Sequence, residues 1–345
     1  MMKIRQHENL QKRNASADIL KAMSIFAVVF IHGSFLIPVS QSRYDIDSES
    51  LRFLGHMLRF CVPVFIFLWA YFTEKSVLKS SEKTYYNRIY KLFIPFVFWS
   101  SVYFIILADL KNLNILTLIS RHWVGYGWSG QYYFIILFQL ILLFGFIRKL
   151  TLQILHYPYI IILISFCFFA IISYSNWFEI GIIGKLSYRP FIYWLPYAIL
   201  GVIHAHKNII KWSIPIIIAY ISPVLILAEI YIFNPNLLNE YMLPSVFITT
   251  ILLISTTASK LTYENLPPWI AVLVQTLSNS TLGIFCLNPL VIILFSPAFQ
   301  RIEMSVKIPG ISIFMSLIST ILIMIICYII IEIFKKIRLG KLISN

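Results

Sequence analysis

Charge is what this sequence has least of. Asp, Glu, Lys and Arg make up 12% of its 345 residues and hydrophobic residues 59%, for a mean hydropathy of +0.82. A soluble domain of this length cannot cover its surface with so few charges. Acids are scarcer still, 14 against 28 bases, which leaves a formal charge of +14. No soluble segment carries a basic stripe with interleaved aromatics, so nucleic-acid binding is not expected. The excess reads as loop charge that orients the chain in a bilayer. Cysteine is also sparse. Cys61, Cys167, Cys286 and Cys327 all fall in apolar runs, with neither metal-ligand spacing nor a loop pair for a disulfide framework. They read as small core residues. Long hydrophilic segments, low-complexity tracts and internal repeats are missing as well, which predicts one membrane domain over residues 1–345 with no soluble appendage. No A-x-A-like site follows the first apolar run, so it is expected to be a permanent span and not a cleavable signal.

What is present is apolar sequence in lengths suited to a core about 30 Å thick. Ten helices are predicted, at 17–39, 55–73, 88–108, 130–147, 158–174, 189–204, 211–232, 242–259, 269–296 and 310–334. The expected fold is therefore all-α and integral to the membrane, with both termini on one side. If that side is the cytoplasm, eighteen lysines and arginines fall inside and eight outside. Only Lys21 and Arg59 lie within spans. This bias satisfies the positive-inside rule, so both termini are expected to be cytoplasmic. Trp123, Tyr126 and Trp128 gather at the outer start of the fourth span. An interfacial aromatic belt explains them; a sugar-facing surface shared with Arg121, His122 and Gln131 is the other reading.

His32 is the one histidine placed deep in an apolar run, and Lys21 lies eleven positions before it. Eleven residues are close to three helical turns, so the two share a face roughly 16 Å apart. Imidazole suits proton movement near neutral pH, and an ionisable group inside a bilayer is a functional candidate by default. Arg88 and Lys91, three apart at the start of the third span, project from one face on the side of Lys21. The three cations together suit a polyanion such as the nucleotide phosphates of coenzyme A, whose pantetheine arm would extend toward His32. Each also has a plainer reading: Arg88 and Lys91 as topology determinants, Lys21 as a snorkelling side chain, His32 as a hydrogen-bond partner of another helix. Arg59 enters the second span from the outside, either to hold an acceptor hydroxyl or to pair with a carboxylate, for which Glu229 is a candidate. His7, His56, His122, His156, His204 and His206 lie in loops or at span ends without convincing zinc spacing, so no metal is expected.

Three stretches carry a family resemblance. Lys21 and His32, with ten residues between them, follow Asp18. The second span begins Arg59-Phe-Cys-Val-Pro63-Val-Phe. The third opens with Arg88, Lys91 and Pro95. In order and at these depths they resemble the acyltransferase-3 family, integral membrane acyltransferases that modify bacterial surface carbohydrates. The resemblance runs over essentially the whole chain. It implies an O-acyltransferase, most simply an O-acetyltransferase, of a bacterial inner membrane. Its donor would be acetyl-CoA or another acyl-CoA, and its acceptor a carbohydrate hydroxyl. His32 would be the catalytic group, as general base or transient acyl carrier. Lys21, Arg88 and Lys91 would bind the donor, and Arg59, Trp128, Gln131 and Asn288 would stand on the acceptor side.

The chain departs from the family's usual pattern in three places. Leu68-Trp69-Ala70-Tyr71 stands where Ser-Gly is usual, and Gly130-Gln131-Tyr132-Tyr133-Phe134 where His-Leu-Trp-Phe-Leu is frequent. Asn288 precedes Pro289 where relatives commonly have histidine. Asparagine cannot move a proton near neutral pH, so any chemical role of that histidine is expected to be lost. Two other functions fit the same residues: a transporter or flippase of a lipid-linked glycan, and an inactive member of a polysaccharide-assembly complex.

Overall fold

The computed structural model describes residues 14–34, 45–79, 83–107, 125, 127–174, 189–207, 215–233, 237–305 and 311–343. Among them there is helix and no strand. Among the described residues, five helical stretches are long and apolar enough to cross a membrane, or six if one bent pair counts as a single span. Four shorter apolar helices, at 158–173, 195–206, 224–233 and 244–257, occupy other predicted segments.

The helices are α1 (Ala15–Ser34), α2 (Asp45–Met57), α3 (Cys61–Lys79), α4 (Lys83–Leu107), α5 (Gln131–Leu142), α6 (Phe144–Gln153), α7 (Pro158–Ser173), α8 (Leu195–Lys207), α9 (Ile216–Ile221), α10 (Val224–Phe233), α11 (Pro244–Lys260), α12 (Pro268–Ser305) and α13 (Ile311–Lys336). Three differ from the hydropathy reading. α2 was not expected, because Asp45-Ile-Asp-Ser-Glu is too polar to register as a span; it reaches α3 through a turn that carries Arg59. The segment predicted at 130–147 bends by 62° between α5 and α6. The segment predicted at 211–232 is split into α9 and α10 at Pro223, whose ring removes a backbone donor. Ser222 repairs part of that break, its hydroxyl donating to the Ala219 carbonyl at 2.7 Å while its own carbonyl accepts from Thr249 at 3.0 Å.

α1 is the central helix. It packs on α12, α3, α13 and α11, and 72% of its apolar window is buried, against 33% for α13 at the periphery. Asn14 starts it as an N-cap, its side-chain oxygen accepting from the Ala17 amide at 3.1 Å. Asp18 in the first turn is buried and accepts hydroxyls from Tyr263 at 2.6 Å and Ser278 at 2.5 Å, which ties α1 to α12. α3 and α8 pack closely where residue 201 is glycine. A Cβ there would collide with the Phe67 carbonyl oxygen and come within 2.9 Å of the Ala70 side chain. Small residues let helix backbones approach in this way where no water is expelled to drive association. The outer helices expose Ile105, Leu142, Phe146 and Ile164, an apolar surface suited to lipid. Cys61, Cys286 and Cys327 are buried as expected, but Cys167 is exposed on α7.

Candidate active site

A cavity of about 490 Å³ opens between α1, α3, α4, α5 and α12. Lys21 and Lys91 both line it, and Lys91 is exposed, which marks the mouth. The Lys21 ammonium sits 4.8 Å from the centre of the Phe72 ring, a cation–π distance. Its walls combine the aromatic Phe65, Trp69, Tyr133 and Phe285 with the polar Ser278, Asn279 and Thr281 of α12, and the Tyr133 and Phe285 rings lie 5.3 Å apart. Two of the three predicted cations therefore share one cavity. Arg88 lies three residues before Lys91 on α4; its side chain is outside the described residues.

His32 is not a lining residue of this cavity. It is joined to the wall through α12. Pro289 interrupts that helix's hydrogen-bond ladder, and the carbonyl four residues earlier, Phe285, loses its backbone donor. The Asn288 side-chain amide replaces it, donating to the Phe285 carbonyl at 2.7 Å and the Ile284 carbonyl at 2.9 Å. The amide oxygen of Asn288 then meets Nδ1 of His32 at 2.7 Å. Asn288 is fully buried and His32 partly so. Asn288 itself cannot carry a proton, but it is bonded to His32, whose imidazole can.

The next rung of α12 is splinted too. Tyr103 donates to the Cys286 carbonyl at 2.7 Å and accepts from the Leu290 amide at 2.9 Å, filling the gap in a single hydrogen bond of the ladder. Trp128 stacks on Tyr103 at 4.8 Å, and its indole N–H lies 3.4 Å from the Ser100 hydroxyl. Gln131 donates to that hydroxyl at 2.9 Å and accepts from the Gly127 amide at 2.6 Å. Both residues are buried, their ring face and amide engaged within the protein beside the kink. Gly130 between them has φ +93°, and a Cβ there would come 2.9 Å from the Phe285 ring. Arg121, His122, Trp123 and Tyr126, grouped with them in the sequence, lie outside the described residues.

Arg59 pairs with a carboxylate, but with Glu240 and not with Glu229. Its guanidinium lies 2.5 Å from Glu240, donates to the Tyr241 hydroxyl at 3.1 Å, and is 5.1 Å from the centre of the Tyr241 ring. Tyr132 donates to the same hydroxyl at 3.2 Å, and His56 lies 3.4 Å from Glu240. Glu229 has another task. It accepts from the Ser245 amide at 2.7 Å and from Tyr174 at 2.6 Å, so its charge sits at the N-terminus of α11, where the helix dipole favours it.

Glu240 lies in the turn before α11. Burial works against its ionisation, but His56 and Arg59 outweigh that and hold its carboxyl below the ordinary carboxylate range. A folded-state value below the unfolded one stabilises the fold above pH about 4.5, and that contribution is lost as pH falls through the lowered value. Glu240→Gln is therefore expected to flatten the fall in thermal stability below pH about 4.5, measured by unfolding midpoints across pH in one detergent. An unchanged slope would show that the pair is not coupled to folding.

The sequence reading missed a buried ion cluster. Glu74 on α3, wholly inaccessible, receives Nε of Arg148 at 3.0 and 2.9 Å on its two oxygens and Nε2 of His206 at 2.8 Å. It joins α3, α6 and α8. Glu74 in Tyr71-Phe-Thr-Glu-Lys75 looks like any charge at a span end, and no local signal separates it from one. Among the described residues, no three His, Cys, Asp or Glu side chains are grouped as a metal would require.

These features define an all-helical, multi-pass membrane protein with a basic-mouthed cavity and a buried histidine–asparagine pair. A family model described as an acyltransferase domain matches residues 14–332, and the chain belongs to this acyltransferase-3 family. It is a membrane acyltransferase. Comparison with curated proteins gives no match, nor does comparison with solved structures.

Proposed function

We propose that the protein moves an acyl group, most simply acetyl, from cytoplasmic acyl-CoA to a hydroxyl of a cell-surface or lipid-linked glycan. The observation that carries this reading is the continuity from Lys21 and Lys91, through one cavity, to Phe285, whose carbonyl is held by the partner of His32. Ammonium groups at the mouth suit the phosphates of the donor, with Arg88 as the third cation, and the mixed aromatic and polar walls suit an extended arm of methylenes and amides. His32 takes the proton of the acceptor hydroxyl as its oxygen attacks the thioester carbonyl. The C–S bond breaks, and the thiolate leaves with the proton held by the imidazolium. In the covalent variant, the imidazole nitrogen attacks the thioester carbonyl and the thiolate leaves; the acceptor oxygen then takes the acyl group from the acyl-imidazolium, releasing neutral imidazole as its proton passes to the thiolate. Arg59 would stand on the acceptor side with Tyr241 and Tyr132. Trp128, Gln131 and Asn288 would act there as walls and supports.

The ten apolar segments and the charge bias support ten spans with both termini cytoplasmic, in a bacterial inner membrane. Membership in an acyltransferase family favours acyl transfer over the flippase reading.

Steady-state kinetics with acyl-labelled acetyl-CoA test the donor site. Lys21→Ala and Lys91→Ala should each raise the donor KM by about tenfold, the loss of one charge-assisted contact, and leave kcat nearly unchanged. Unaltered donor KM in both variants would remove the phosphates from this cavity.

A further inference from the structure

We infer that Asn288 is a positioning residue that holds His32 in its Nδ1–H tautomer, so that Nε2 is the reacting nitrogen. The argument begins at Pro289. Having no N–H, it leaves the Phe285 carbonyl without its helical donor, and the amide of the preceding residue supplies a replacement with two hydrogens. Both hydrogens of Asn288 go to main-chain oxygens, of Phe285 at 2.7 Å and Ile284 at 2.9 Å. Carbonyls cannot donate, so the opposite orientation of the amide would set its oxygen against two others. The amide is therefore not free to flip.

Its oxygen is left facing Nδ1 of His32 at 2.7 Å. An amide oxygen only accepts, so Nδ1 must supply the hydrogen. A neutral imidazole with a hydrogen on Nδ1 carries its lone pair on Nε2. A histidine preceding the same proline has no pair of amide hydrogens to offer the freed carbonyls, whereas asparagine does both jobs with one side chain. Tyr103 braces the arrangement, because its hydroxyl fixes the adjacent rung between Cys286 and Leu290. The kink of α12 thus converts a missing backbone hydrogen bond into a fixed orientation of the buried histidine.

The tautomer follows from the geometry alone; that Nε2 does the chemistry rests on the acyltransferase reading. ¹⁵N NMR of histidine-labelled full-length protein in bilayers separates the two. His32 signals are assigned by their loss in His32→Gln. Above the titration of the ring, wild type should show the Nδ1–H form almost exclusively, and Asn288→Leu a mixture or the Nε2–H form. Should Asn288→Leu fold poorly, Asn288→Leu/Pro289→Ala restores the backbone donor to Phe285 and should still show the mixture. A wild-type Nε2–H tautomer, or one indifferent to both leucine variants, overturns the inference. Failure of acyl transfer in a protein with the expected tautomer would instead strike only the functional reading.

Discussion

His32→Gln is expected to lower kcat for acyl transfer by ~10²–10⁴-fold, the range a positioned general acid–base group supplies. Glutamine is chosen because its side-chain amide can still donate to the Asn288 oxygen that Nδ1 of His32 meets at 2.7 Å, so the contact between α1 and α12 survives. What it lacks is a basic lone pair. Lys21 is three turns away along α1, so donor affinity should hold while turnover collapses. The measurement is kcat at saturating acyl donor, alongside donor binding at equilibrium. Turnover within tenfold of wild type would show that the buried ring is only a helix–helix contact, and the chemistry would have to be sought elsewhere.

Arg148→Leu should be the most destabilising single change in the protein away from the cavity, by about 3–5 kcal/mol. It strips both bonds of Nε from a Glu74 carboxylate that has no access to solvent, leaving only His206 beside it. A carboxylate stripped of its guanidinium in that position must either stay charged at high cost or take up a proton. The double variant Glu74→Leu/Arg148→Leu should recover most of the loss, because apolar side chains of similar volume commonly replace buried ion pairs without penalty. Unfolding midpoints of wild type, both single variants and the double variant form the cycle that isolates the pair. An Arg148→Leu protein as stable as wild type would mean that the cluster contributes nothing to holding α3, α6 and α8 together.

Whatever depended on local periodicity was legible in the sequence. Lys21 and His32 lie on one helix because the run between them is uninterrupted and apolar, and α1 carries both. Among the described residues, each predicted apolar segment overlaps a helix or a pair of helices. The breaks were less legible. Pro223 splits its segment as proline should, but the 62° bend at Leu143 has no proline to announce it.

Partnerships between distant residues were hidden for a different reason. Asn288 lies 256 positions from His32, and Glu240 lies far along the chain from Arg59, so only packing brings them together. Arg59 invited a carboxylate partner, and Glu229 was the nearest in depth. The α11 N-terminus claims that carboxylate through the Ser245 amide. The sequence reading of Asn288 noted that it cannot move a proton and named no partner for it. A proline inside an apolar helix frees a carbonyl, and an asparagine just before it is placed to satisfy that carbonyl. That signal was in the sequence, and it concerned hydrogen-bond acceptance, not acidity.

The most direct measurement uses an acyl-CoA whose acyl group carries a photoreactive carbon, bound to the full-length protein in a bilayer and irradiated, with the attached residues read by mass spectrometry. Capture on Tyr133, Phe285 or His32, suppressed by excess acetyl-CoA and weakened in Lys21→Ala, is the expected result. Capture confined to the exposed outer faces of α4, α7 or α13, and indifferent to Lys21, would contradict a donor path running from the basic mouth to the buried histidine.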